Sequence, residues 1–112
     1  MVTTLSTTGL YNRLGITATQ LSALCRRWQI AELALFGSIL RDDFQDSSDV
    51  DMLVTYHPQA KRGLFEKMML KAELEALTHR KVDLVSKTAI ENSRNWVRRE
   101  NILNTAEVIY VA

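Results

Sequence analysis

The sequence predicts an α+β fold with an α/β-like alternation: a small mixed sheet of about four strands backed by helices. Two observations carry that reading. Short, mostly apolar runs suited to buried strands recur at IAELALF (30–36), DVDMLVTY (49–56), KVDLVS (81–86) and the C-terminal AEVIYV. Stretches with helical periodicity lie between them, so the order is helix, strand, short helix, strand, helix, strand, helix, strand.

Taken in order, residues 1–14 show neither period, and a flexible lead-in is expected there, followed by a single domain over 15–112. After Gly15, Thr17 and Gln20 are spaced as a capping box, and Ile16 and Leu21 stand where a hydrophobic staple closes, so a helix begins. Leu21, Leu24, Cys25 and Trp28 follow its i, i+3, i+4, i+7 stripe. That spacing makes Cys25 a core residue and leaves Arg26 and Arg27 outside.

The first strand ends at Gly37. SILRDDF then provides one or two helical turns, and QDSS a polar loop. The second strand stops before His57-Pro58, where proline removes a backbone donor and His57 reads as a turn residue. Lys61 to Leu77 carries Leu70, Leu74 and Leu77 on one helical stripe with Phe65, Met69 and Ala72 beside it. The methionines read as core packing, opposite a charged face with Lys67, Lys71 and Glu75. After the third strand, Ile90 to Leu103 reads as one helix, with Trp96, like Trp28, in the core. On that helix Arg94 and Arg98 form either a solvated face or a pair that steers an anion, and Arg99 shares the ambiguity.

Composition excludes more than it assigns. A charged fraction of 24% and a net charge of +1 give no bulk attraction for nucleic acid or anionic membrane, so neither partner is expected. One cysteine cannot form an internal disulfide, and the first residues lack the basic and apolar regions of a secretory signal, so a cytoplasmic location is expected. No apolar run reaches the roughly 18 residues of a membrane span.

The chemistry is concentrated in FGSILRDDFQDSSDVDMLV, 36–54. Residues i and i+2 of a strand face the same side, so Asp49 and Asp51 project together while Val50, Met52 and Val54 face the opposite way. Two such carboxylates repel unless a cation lies between them, and oxygen ligands of this kind suit Mg²⁺. Zinc is a poor match, because Cys25 is on a core stripe and His57 and His79 are far apart in sequence. The pair also fails as a calcium loop, since Leu53 and Val54 stand where Asp or Asn and then Gly are needed, and no P-loop string is present. Gly37-Ser38 alone reads first as a strand-to-helix turn with Ser38 as N-cap. Set before the acid pair, it is also a candidate phosphate cradle, with Arg41 open to either a phosphate or a neighbouring acid. Asp83 repeats the anomaly of a lone carboxylate between Val82 and Leu84.

Gly37-Ser38, ten intervening residues, Asp49-Val50-Asp51 and then Asp83 within an apolar strand resemble the DNA polymerase β-like nucleotidyltransferase superfamily, most closely its minimal nucleotidyltransferase (MNT) branch. The resemblance implies that Gly37 and Ser38 hold the triphosphate of ATP as co-substrate, and Arg41, beside them, is a further nucleotide-binding candidate. It implies that Asp49, Asp51 and Asp83 bind two Mg²⁺ ions, Asp83 also assisting deprotonation of the attacking hydroxyl. MNT proteins are often antitoxins of HEPN ribonuclease toxins, some through transfer of AMP to a toxin tyrosine, and that activity with a HEPN-type partner is the expectation here. The alternatives are a non-catalytic antitoxin that occludes its partner and a small-molecule transferase of the aminoglycoside type.

Overall fold

The computed structural model describes residues 7–112, in which β1 (Ile30–Phe36), β2 (Val50–Tyr56), β3 (Val82–Ser86) and β4 (Glu107–Val111) form one sheet. Their order is β3-β2-β1-β4. β1 pairs antiparallel with both β2 and β4, whereas β2 and β3 run parallel, so the sheet is mixed as expected. A parallel pair needs a crossover, and α3 (Leu64–Thr78) provides it.

The first correction lies at the start of the chain. Thr7–Leu14 is a helix, α1, rather than part of a flexible lead-in, while residues 1–6 of that expectation lie outside the described residues. Leu10 and Leu14 are buried one turn apart, and the Tyr11 hydroxyl donates to the Ile109 carbonyl at 2.7 Å. A helix of two turns offers too few apolar positions to show a period, and it is tertiary contact that holds it.

α2 (Ala18–Arg27) starts as its sequence requires: the Thr17 hydroxyl accepts from Gln20 N–H and Gln20 Oε1 accepts from Thr17 N–H. Ile16 and Leu21 are both buried in the same core cluster. Cys25 is fully buried, which pushes its thiol up to about 12 and leaves it unreactive. Arg27 and the Trp28 indole N–H both donate to the Glu73 carboxylate, tying α2 to α3, and these bonds hold Glu73 below the ordinary carboxylate range.

On α3 the buried stripe is Leu70, Leu74 and Thr78. The methionine expectation fails at Met68 and Met69, which are 62% and 44% exposed, with Leu64 and Phe65 more exposed still. Their turns precede the first buried position, Leu70. The single helix expected over Ile90 to Leu103 is also corrected. It is two helices, α4 (Lys87–Glu91) and α5 (Trp96–Thr105), because Asn92 terminates the first and the Asn95 side chain accepts from Arg98 N–H to start the second. Trp96, expected in the core, sits in the first turn of α5 and is 65% exposed.

The sheet has two unlike faces. Leu33, Leu35, Val50, Met52, Val54, Val82 and Leu84 join residues of α1, α2 and α3 in the main core. Ala34, Phe36 and Leu53 meet Ile90 of α4 and Ile102 of α5 in a much smaller cluster, so the far end of that second face remains open.

Candidate active site

The open end of the second face carries the acids. Asp51 precedes Leu53 by two residues on β2 and so shares the face on which Leu53 meets α4 and α5. The parallel register sets Asp51 beside Asp83, with Val50 beside Val82 and Met52 beside Leu84. Neighbouring strands lie about 4.8 Å apart, so the two carboxylates share one small region. Asp49 stands one residue before β2, exposed, and lines the same cleft as Asp51 and Asp83. The apolar partners of each strand go down into the main core, and the acids are what remains on the upper side.

Asp51 carries the electrostatic strain of this arrangement. Burial pushes its carboxyl above the ordinary aspartate range, and the charges of Asp83 and Asp49 push it the same way. Arg41 and Arg98 act in the opposite direction.

On the β1 side of Asp51, Phe36 is its antiparallel partner and Gly37 follows with φ +78°. A Cβ on Gly37 would lie 2.2 Å from Asp51 Oδ2. Glycine is therefore required both by conformation and by the carboxylate packed against it. Ser38 sits in the 3-10 turn Gly37–Leu40, but the N-cap position belongs to Phe36 and no side chain caps the turn, so Ser38 does not serve as N-cap. The Arg41 N–H closes the turn on the Ser38 carbonyl at 2.9 Å, while its side chain is paired with Asp43 at 3.1 Å.

The loop from Arg41 to Asp49 is held from both ends. Arg80 donates to the carbonyls of Gln45 and Asp46 and lies over the Phe44 ring, 4.5 Å from its centroid, with Arg13 also over that ring at 5.6 Å. Two acids of the loop thus have structural partners, Asp43 with Arg41 and Asp46 with Arg80.

On the β3 side a cleft of about 840 Å³ opens, lined by the three aspartates together with Lys71, Glu75, His79, Arg80 and Lys81. Gly37, Ser38 and Arg41 do not line it; they lie on the other flank of Asp51. Glu75 accepts from Val82 N–H at 3.0 Å and fixes the start of β3, and His79 ends α3 with φ 58°. The sequence showed Lys71 and Glu75 only as a charged helix face. Their approach to the acids comes from the crossover, which no local spacing records.

The donor set is all oxygen, with two of the three carboxylates exposed. Among the described residues no group of three or more His, Cys, Asp or Glu side chains is arranged to hold an ion unaided. A partial carboxylate set that relies on phosphate and water for its remaining ligands is the ordinary situation of Mg²⁺, so the residues fit that ion. Asp51, raised by burial and then by the charges of Asp83 and Asp49, is a position that a cation would relieve.

Comparison with known proteins identifies the family. The chain matches the nucleotidyltransferase domain family over residues 18–109. It is 35% identical over 69 residues to the protein adenylyltransferase MntA of Thermococcus cleftensis, covering 62% of this chain and 68% of that one. Its fold superimposes on a candidate minimal nucleotidyltransferase with a TM-score of 0.64 at 28% identity, covering 92% of this chain and 95% of the other. A toxin–antitoxin structure with AMP-PNP shares the fold at a TM-score of 0.65 and 17% identity, covering 87% of this chain and 75% of that chain. An acid-lined sheet end behind a glycine turn, in a chain matched over nearly its whole length, has one consistent assignment: the chain belongs to the nucleotidyltransferase domain family, among its minimal members.

Proposed function

We propose that this nucleotidyltransferase is Mg²⁺-dependent, takes ATP as co-substrate, and transfers AMP to a hydroxyl of a protein partner, a tyrosine of a HEPN-type toxin, acting thereby as its antitoxin. The observation that carries the proposal is the register of β2 and β3, which aligns Asp51 with Asp83 while Gly37 packs against Asp51 from the other side. Asp49, Asp51 and Asp83 would hold the metal ions, which supply charge stabilisation to the attacking and leaving oxygens when bound. Gly37 and Ser38 offer backbone N–H groups to the triphosphate, and Arg41 adds positive charge from the same flank. Asp83, exposed in the cleft, accepts the proton of the acceptor hydroxyl. The hydroxyl oxygen bonds to the α-phosphorus, the α–β phosphoanhydride bond breaks, and pyrophosphate leaves.

Two findings support a protein acceptor. The curated relative is named for protein adenylylation, and solved toxin–antitoxin complexes share the fold. The chain itself exposes Leu64, Phe65, Met68 and Met69 on the first turns of α3, and Leu64 and Met68 lie on the stripe that continues as Lys71 and Glu75 into the cleft. The test is incubation with α-labelled ATP, Mg²⁺ and the product of the adjacent gene. Label is expected on a partner tyrosine with the wild type and on nothing with Asp49→Asn or Asp51→Asn. Label that persists in both variants would overturn the metal assignment, and neutralisation of the partner without label would establish occlusion instead.

A further inference from the structure

We infer that Arg80 is a positioning residue for Asp49: it clamps the loop that joins the glycine turn to the acids and so sets where the first carboxylate stands. The inference rests on the nucleotidyl-transfer reading of the acids and adds residues that act on them through the loop.

Asp51 and Asp83 are held by the ladder, in register with each other between β2 and β3. Asp49 has no such support. It precedes the first ladder pair, Val50 with Val82, and its exposed side chain makes no hydrogen bond or ion pair among the described residues. Its place is therefore set by the loop behind it. The last residues of that loop form a closed turn, in which Ser48 N–H donates to the Gln45 carbonyl and Gln45 N–H to the Ser48 hydroxyl, each at 3.0 Å. Arg80 grips this turn from outside, donating to the Gln45 carbonyl at 3.0 Å and to the Asp46 carbonyl at 2.9 Å.

Arg80 is itself fixed. It stands between His79, whose left-handed conformation ends α3, and Lys81, whose carbonyl accepts from Val50 N–H at 2.9 Å. Its side chain is only 15% exposed and lies over the ring of Phe44, which packs against the main core. Arg13 of α1 lies over the same ring and donates to the carbonyls of Ile39 and Arg41, at the end of the glycine turn. The ring thus gathers two arginines onto the loop, one holding the end of the glycine turn and the other the turn before Asp49. A guanidinium suits this work because its fork of N–H donors spans two carbonyls while its face stays on the ring. The grip is on the backbone. The Asp46 carboxylate, 3.7 Å away on a fully exposed side chain, adds little to it. Because Mg²⁺ demands near-ideal octahedral geometry, a loosened Asp49 weakens metal binding before it weakens the fold.

Two readouts on the intact chain test this: the Mg²⁺ concentration that half-saturates ATP binding, by calorimetry, and hydrogen exchange at the Ser48 amide without metal. Arg80→Ala is expected to raise that Mg²⁺ concentration about 10-fold, as loss of a residue that orients a metal ligand does, and to speed Ser48 exchange. Arg80→Lys, which keeps a cation near the ring but has no fork to span both carbonyls, should recover only part of the loss. Asp46→Asn should match the wild type. Arg27→Ala breaks the tie from α2 to Glu73, so it controls for lost stability alone and should leave the Mg²⁺ dependence unchanged. Unchanged Mg²⁺ dependence or unchanged Ser48 exchange in Arg80→Ala, or an equal Mg²⁺ shift in Arg27→Ala, would overturn the positioning role while leaving nucleotidyl transfer intact. A wild type whose ATP binding ignores Mg²⁺ would overturn the metal reading and this role with it.

Discussion

The two faces of the sheet divide the work of the molecule. The face under α1, α2 and α3 is closed, and its inward positions on β1, β2 and β3 are almost wholly apolar. The face under α4 and α5 is closed only around Phe36, Leu53, Ile90 and Ile102, and the same sheet carries Asp51 and Asp83 at its open end. β2 and β3 thus send one set of alternate residues into the core and present carboxylates to the cleft with the other. The thick core makes the thin, charged face tolerable, because ionised groups crowded in a half-buried space oppose folding.

The largest expected effect tests that division through stability. Leu33→Ala, in the closed core with no exposure, should cost about 2–5 kcal/mol in denaturant unfolding, and Ile102→Ala should fall near the lower end of that range. Equal losses would mean that the second face contributes as much to stability as the first.

A smaller effect separates two glycines that share a backbone conformation. Gly37→Ala should lose about 1–2 kcal/mol from its positive φ alone, and nucleotidyl transfer should collapse as the new Cβ displaces the Asp51 carboxylate. Gly15 has φ +72° with nothing within 4 Å of the place an alanine methyl would take, so Gly15→Ala should show a similar stability loss with transfer intact. Loss of transfer in both would assign the effect to folding and not to the site.

The smallest shift concerns Asp51 itself. The native carboxyl holds its proton more tightly than the unfolded one, so the native state loses stability as pH rises from the ordinary value of 3.8 through the raised native value. Asp51→Asn removes that cost. In chelator at pH 7 it should melt a few degrees above the wild type while transferring nothing, and the gap should close as pH falls below the ordinary aspartate range. A variant that melts lower at pH 7 would show that the ionised carboxylate supports the fold.

What the sequence disclosed follows the range of each interaction. The capping box at Thr17 and Gln20, the four strands and the shared cleft of Asp49 and Asp51 are set by residues within a few positions of one another, and all were legible. Asp83 was visible as an anomaly, but only the parallel pairing makes it a neighbour of Asp51. α1 was hidden because two leucines one turn apart show no period, and the break between α4 and α5 because Asn92 and Asn95 interrupt an otherwise plausible apolar pattern. Lys71, Glu75, His79 and Lys81 stood beyond reach for the same reason as Asp83: the crossover, not the local string, brings them to the acids. The methionines and Trp96 misled because apolar character alone does not say which turns of a helix something will cover.

The parallel register also sets when the site can exist. Its two central carboxylates belong to strands joined only through a complete helical crossover, and pairings of that kind are among the later events in folding. While β3 is undocked, Asp51 and Asp83 are far apart and repel no more than they do in the unfolded chain. With the roles proposed for these acids, competence for transfer arrives with the closing of the sheet, and a slip of β3 by one residue would turn Asp83 into the core and leave a chain that is nearly folded but catalytically silent.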